Sequence, residues 1–277
     1  MRRAGSRTGL TASALLALAA VAVFAVLPGS VGAQAPALRC ATPTASGTPQ
    51  ADTMNGTSGA DRLAAFAGDD LVNGLQGNDC LDGGVGNDHM SGASGNDRLF
   101  GEAGDDDLSG GSGNDVIEGG EGFNLIEGGL GADQLRGGDG LDDLSGGRGD
   151  DIVFGGDGFD YLSGGIGNDQ LNGEGGLDDI EGGLGNDRMF GADGDDRLAG
   201  GHGADVLAGG AGNDRLDGGD GRDRFEAGAG NDTIISVDGR PTEERVGCGP
   251  GTDTVYADVN DRVFGCERIF RERASLR

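Results

Sequence analysis

Residues 83–91 read GGVGNDHMS and residues 209–217 read GGAGNDRLD, two copies of one nine-residue phrase. Stepping by nine from Gly56 divides residues 56–235 into 20 nonapeptides without insertion or deletion. Position 1 is Gly in 18 of them, position 2 in 13 and position 4 in all 20. Position 6 is Asp in 19, and position 8 is apolar in every copy, from Leu63 to Ile234. The consensus is GGxGxDxUx, with U apolar. A solvating Gly-rich linker has no reason to hold an apolar residue at every ninth position, so the strict phase marks a repeat architecture rather than disorder.

What each position can do predicts the fold. Gly at positions 1, 2 and 4 allows positive φ and close backbone approach, which predicts a tight turn over the first six residues. The three residues left form a short strand whose middle side chain, position 8, faces inward. One apolar residue in nine cannot build a core alone, but two turns and two strands make an 18-residue coil, and stacked coils enclose a thin double-sheet interior. The expected fold is therefore all-β, a parallel β-roll (β-solenoid) of about ten such coils with short terminal caps.

Composition narrows the function. The 277 residues include 62 Gly, no Trp and only 12 Phe plus Tyr, which excludes an ordinary core of large side chains, and 6 Pro exclude collagen. Asp and Glu number 48 against 20 basic residues, all of them Arg, for a net charge of −28. Such a surface repels nucleic-acid phosphates and anionic lipid, so cations and basic surfaces are the attractive partners. The repeat block alone holds 39 acidic and 9 basic residues, and folding it packs that charge together.

If the loops stack along each edge of the roll, loop i lies beside loop i+2 and their position-6 carboxylates come within one strand spacing. Two carboxylates plus turn carbonyls make an all-oxygen cage, which suits a hard cation of calcium size rather than zinc or copper. The candidate ligands are Asp61, Asp70, Asp79, Asp88, Asp97, Asp106, Asp115, Asp133, Asp142, Asp151, Asp160, Asp169, Asp178, Asp187, Asp196, Asp205, Asp214, Asp223 and Asp232. Asn124 interrupts the series in the eighth repeat, beside the loops of Asp106 and Asp142. Twenty loops offer neighbouring pairs for up to about 18 Ca2+ ions, enough charge to offset the block.

On these residues the chain resembles the RTX (repeats-in-toxin), hemolysin-type calcium-binding nonapeptide repeat family. The resemblance covers 180 of 277 residues. It implies a parallel β-roll, calcium held between loops by the position-6 Asp side chains and loop carbonyls, and folding that depends on calcium. Many members carry a lytic, protease or lipase domain and leave the cell through a dedicated one-step system. This chain departs from them in both respects.

Residues 1–33 carry Arg2, Arg3 and Arg7, an apolar run from about Leu10 to Leu27, and Val31-Gly32-Ala33, the order of a secretory signal peptide. The expected mature protein is secreted, with no membrane span after signal cleavage. Residues 34–55 read as a linker and N-terminal cap in which Asp52 and Met54 already fall at positions 6 and 8, and residues 236–277 as a degenerate C-terminal coil and cap. There CGPGTDTVY (248–256) restarts the frame three residues out of phase. Cys248 and Cys266 stand one coil length apart, which favours a disulfide between adjacent coils and leaves Cys40 to pair with Cys80. Four cysteines allow three connectivities, and the sequence leaves them open.

Phe123, Leu141, Phe159 and Leu177 replace the usual Asn or Asp at position 5 at steps of 18, an apolar stripe on one edge. It reads either as the product of a 36-residue duplication (119–154 and 155–190) with modest packing, or as a docking stripe for a protein partner. His89 and His202 read as variable surface residues. No HExxH, GxSxG or P-loop occurs, and the expectation is no enzyme but an exported calcium-binding structural or interaction module. The alternatives are a non-catalytic component or remnant of an RTX secreted enzyme or toxin, and an extracellular adhesin. An ice-binding solenoid needs a Thr ladder, and position 7 offers only Thr233.

Overall fold

The structure is a computed structural model describing residues 40, 42–238 and 243–272. The expected signal peptide lies outside the described residues. Twenty-six strands, β1 (Ala45–Ser46) to β26 (Arg268–Glu272), alternate between two parallel sheets of 13 strands, odd-numbered strands in one and even-numbered in the other. The chain is thus the expected parallel β-roll. At ~4.8 Å per strand its axis runs about 58 Å.

Through the repeat block each residue pairs with the one 18 positions on: Leu108 of β8 (Asp107–Ser112) lies beside Ile126 of β10 (Leu125–Leu130), which lies beside Leu144. The position-8 side chains from Leu63 to Ile234 meet between the sheets as one continuous, nearly solvent-free column. The flanks extend the roll. Met54 of β2 (Thr53–Asn55) pairs with Val72 and joins the core, while Val246 and Val255 prolong it at the other end.

One expectation is corrected. Strands run for six or seven residues through most of the block, from position 7 to position 3 or 4 of the next unit, and only the residues from there to position 6 form the turn. The two leading glycines lie inside strands because their peptide groups continue the ladder: Gly129 pairs with Gly111 on one side and Gly147 on the other. Alternation then turns positions 6, 8 and 1 to the same inner face. Nearly every unit contributes an Asp, an apolar side chain and a glycine to the interior, and the glycine is small because the Asp carboxylate occupies the space beside it. A Cβ on Gly128 would meet Asp133 Oδ2 at 2.7 Å.

At the C-terminal end the spacing changes. Phe225 pairs with Val246 and Ile234 with Val255, steps of 21. Val246 then pairs with Val263 of β25 (Arg262–Phe264), a step of 17, and Val255 with Ile269 of β26, a step of 14. The last coils tighten, and the Cys248–Cys266 disulfide fixes them to each other with Cα atoms 5.3 Å apart. At the other end Cys40–Cys80 clips the entering chain to the third repeat. Cys248–Cys266 is the pairing the spacing favoured, and Cys40–Cys80 the one it left over.

Candidate metal sites

The turns fall into two stacks, one along each edge of the roll, and each stack carries one column of position-6 side chains. Within a column the main-chain N–H of each Asp donates to Oδ1 of the Asp one coil further on: Asp97 to Asp115 at 2.8 Å, Asp115 to Asp133 at 2.7 Å, Asp133 to Asp151 at 2.8 Å. The second column repeats this, as in Asp142 to Asp160 at 2.8 Å. The loop of repeat i does lie against that of repeat i+2, and successive carboxylates are one coil apart.

The other carboxylate oxygen is the informative one. Among the described residues, Oδ2 of all 18 candidate Asp residues from Asp70 to Asp232 is buried and has no hydrogen-bond donor. Leaving so many buried carboxylate oxygens unpaired is costly, and a native row of them suits a cation. The surroundings fit one. The point where a Cβ on Gly128 would sit lies 2.7 Å from Asp133 Oδ2 and 2.7 Å from the Gly146 carbonyl of the next coil; at Gly182 the corresponding distances to Asp187 Oδ2 and the Gly200 carbonyl are 2.6 and 2.7 Å. Carboxylate and carbonyl oxygens converge on glycine-lined space, with neither nitrogen nor sulfur among them, the donor chemistry of calcium. No group of three or more His, Cys, Asp or Glu among the described residues can hold a metal alone. A cation between coils therefore draws on main-chain oxygens as well.

Burial pushes the carboxyls of Asp88, Asp169, Asp178, Asp214 and Asp223 up to about 7. It lifts those of Asp97, Asp115, Asp133, Asp142 and Asp205 to about 6. The accepted N–H bond opposes this rise and the neighbouring carboxylates reinforce it. The columns resist holding their full charge unaided.

Two members of the series depart from the pattern. Asp61, in the first complete coil, is half-buried, and its Oδ2 accepts from the Thr57 N–H at 2.6 Å and the Thr57 hydroxyl at 2.9 Å. Asn124 is fully buried with Oδ1 facing the Asp106 N–H, so its Nδ2 occupies the place of an Asp Oδ2 and has no acceptor.

The columns also run beyond the nonapeptides. Asp52 donates to Asp70 Oδ1 at 2.6 Å, Asp232 to Asp253 Oδ1 at 3.0 Å and Asp253 to Glu267 Oε2 at 2.9 Å. Asp52 lies in frame and Asp253 stands at position 6 of CGPGTDTVY, signals that could have found both. Glu267 could not be found that way, since the step to it is 14 residues. The histidines lie on the exposed surface: His89 Nδ1 meets Asp107 at 2.8 Å and His202 Nδ1 meets Asp220 at 3.2 Å.

The profile of the RTX calcium-binding nonapeptide repeat (4 copies) matches residues 46–80, 82–117, 109–144, 118–153, 145–180, 154–189, 173–207 and 200–234. The chain belongs to this RTX repeat family. The matches cover well over half of its length, and the repeats are calcium-binding units in a β-roll, a structural rather than a catalytic fold. The RTX profile already begins at residue 46, inside the N-terminal flank, where β1 and β2 start the roll. No curated protein matches the chain.

Proposed function

We propose that this RTX protein is an exported module whose fold is assembled by calcium, with the position-6 Asp residues as ligands and up to about 18 ions along the two columns. The observation that carries the reading is the row of 18 buried, donorless Oδ2 atoms, interrupted only at Asn124, with a neighbouring coil's carbonyl beside many of them. When bound, the cation supplies charge compensation and ties successive turns together. The chain's own residues do the rest: Oδ1 fixes the preceding turn through its N–H, the glycines clear the space, and the position-8 side chains close the core.

Export is supported by the signal-like residues 1–33 and by two disulfides, which persist in oxidising compartments. Among the described residues no helix is long and apolar enough to cross a membrane. An interaction role is supported by the stripe, where Phe123, Leu141 and Leu177 stay exposed and Phe159 packs edge-on against Tyr161 at 4.8 Å. Elsewhere on that edge position-5 oxygens bond the next coil, as Asp105 Oδ1 accepts from the Phe123 N–H at 2.9 Å, and this ladder stops where Phe123 has no oxygen to offer.

Circular dichroism of the mature chain in chelator and in millimolar calcium tests the assembly step. The expected result is loss of the β spectrum without the ion and poor substitution by magnesium, which demands tighter octahedral geometry. A β spectrum unchanged by exhaustive chelation would overturn the reading. A pull-down in calcium then seeks the partner.

A further inference from the structure

The C-terminal segment holds one more buried carboxylate, outside the nonapeptide frame and not an Asp. Glu244 immediately precedes β23 (Arg245–Gly247), which pairs with the strand of Phe225 through the 21-residue step. It thereby takes the column place after Asp223. Only 1 % of it is exposed, and neither Oε1 nor Oε2 has a hydrogen-bond partner. Its main chain is held in place, since its N–H donates to Asp261 Oδ1 at 3.2 Å.

Burial, and after it the carboxylates of Asp261, Asp223, Asp238 and Asp258, push Glu244 up to about 9. Among the described residues no arginine donates to the Glu244 carboxylate, and Arg222 Nε donates instead to the Glu243 carbonyl oxygen at 2.9 Å. Arg262 pairs with Glu243, and Arg271 Nη1 donates to the carbonyl oxygens of Asp258 and Asp261 at 2.8 and 3.2 Å. One column place away, Asp223 Oδ2 is also buried without a donor. A proton on Glu244 serves one of these three oxygens; a divalent cation serves all of them.

We propose that Glu244, with Asp223 of the nineteenth repeat, forms a divalent-cation site that carries the column past the nonapeptide block, a calcium site that locks the C-terminal cap onto the end of the repeats. Main-chain oxygens complete its shell, and Asp261 positions the Glu244 backbone. The inference rests on the calcium reading of the repeats and extends it to a residue that the repeat pattern does not contain.

Hydrogen exchange with mass spectrometry on the full oxidised chain, titrated with calcium at pH 7.5, tests it. Glu244→Gln is close in shape to a protonated Glu but lacks the charge. It is expected to raise the calcium needed to protect residues 243–258 by about tenfold, with residues 128–190 unchanged, because ligand charge sets calcium affinity. Glu244→Asp should recover most of the shift. If the Gln variant protects 243–258 at the wild-type calcium concentration, Glu244 holds a proton and the site is overturned, while calcium-dependent protection of 128–190 leaves the reading of the repeats intact. Absence of a calcium response in 128–190 overturns both. Should the Gln variant leave 243–258 unprotected at every concentration, rescue by Asp supports the site, and equal failure of Asp assigns Glu244 to packing instead.

Discussion

The main-chain N–H of Asp106 reaches Asn124 Oδ1 at 3.3 Å, whereas the flanking bonds of the same column, Asp88 to Asp106 and Asn124 to Asp142, are both 2.8 Å. The amide cannot turn over to improve its buried nitrogen, because the Asp106 N–H would then face a donor. Both shared sites, with Asp106 and with Asp142, lose one anionic ligand. Asn124→Asp is expected to raise affinity at the two adjoining sites several-fold, on the order of 1 kcal/mol each. Titration calorimetry at limiting calcium checks this, and equal isotherms for the two proteins would count against the pairing of carboxylates one coil apart.

Acid should substitute to some extent for calcium. The buried Asp carboxyls rise from 3.8 to about 6 or 7 in the roll, so the folded state binds protons more tightly than the unfolded chain. Their contribution is fully present below pH 3.8 and is lost as pH rises through about 6 to 7. In chelator the β signal should therefore grow as pH falls from 8 towards 5, while apparent calcium affinity weakens over the same range because protons compete for the carboxylates. Dichroism against pH, with and without calcium, reads both effects. A metal-free chain that loses β structure on acidification contradicts the assignment.

Positions 2 and 4 should tolerate substitution differently, although φ is positive at both. Six position-2 residues already carry side chains at φ between 71° and 83°, among them Phe66 and Ala192. Gly147 has φ of 104°, and a Cβ there would crowd the Gly129 carbonyl oxygen, so Gly147→Ala must relax towards the φ those six residues adopt, at an expected cost of about 1–2 kcal/mol. Gly149 has φ of 140°, and a Cβ there would overlap the Gly131 carbonyl oxygen of the preceding coil. Gly149→Ala must push neighbouring coils apart, at a cost on the order of 4 kcal/mol or more. Calcium-loaded thermal melts of the two variants give the comparison, and equal melting temperatures would show that the stack is more compliant than the structure implies.

The C-terminal disulfide closes a short loop across the tightened coils. Cys248→Ser should destabilise that end by about 3 kcal/mol, increase self-association through the freed edge strands, and leave calcium binding by the repeats nearly unchanged. Reduction should loosen β25 and β26 first. Non-reducing peptide maps supply the direct check, since free thiols at both positions, or Cys266 joined to Cys40 or Cys80, would rule out the cap.

The roll, its 18-residue coil and the inward column from Leu63 to Ile234 were legible because one apolar residue at fixed phase admits few folds. Strand length was not. Glycine reads as turn, and nothing local reveals that position 1 lies in a strand until the buried Asp beside it is seen to need the space. The position-6 columns could be read, but not that one oxygen of each carboxylate is spent on a neighbouring N–H. Glu244 and Glu267 were invisible for a different reason: steps of 21 and 14 residues place them, and only strand pairing shows those steps.

Because odd and even strands belong to opposite sheets, the chain has a parity. Removing or adding 18 residues within the block exchanges like for like and preserves every pairing. Removing nine would move each downstream unit to the other sheet and the other column. The Phe123–Leu177 stripe, cut in its middle, would be divided between two edges, and the C-terminal cap would change sides relative to the Cys40–Cys80 clip. A duplication of 36 residues, as the likeness of 119–154 to 155–190 suggests, would respect this rule. The length of such a protein is thus quantised in whole coils, although its sequence repeats in halves.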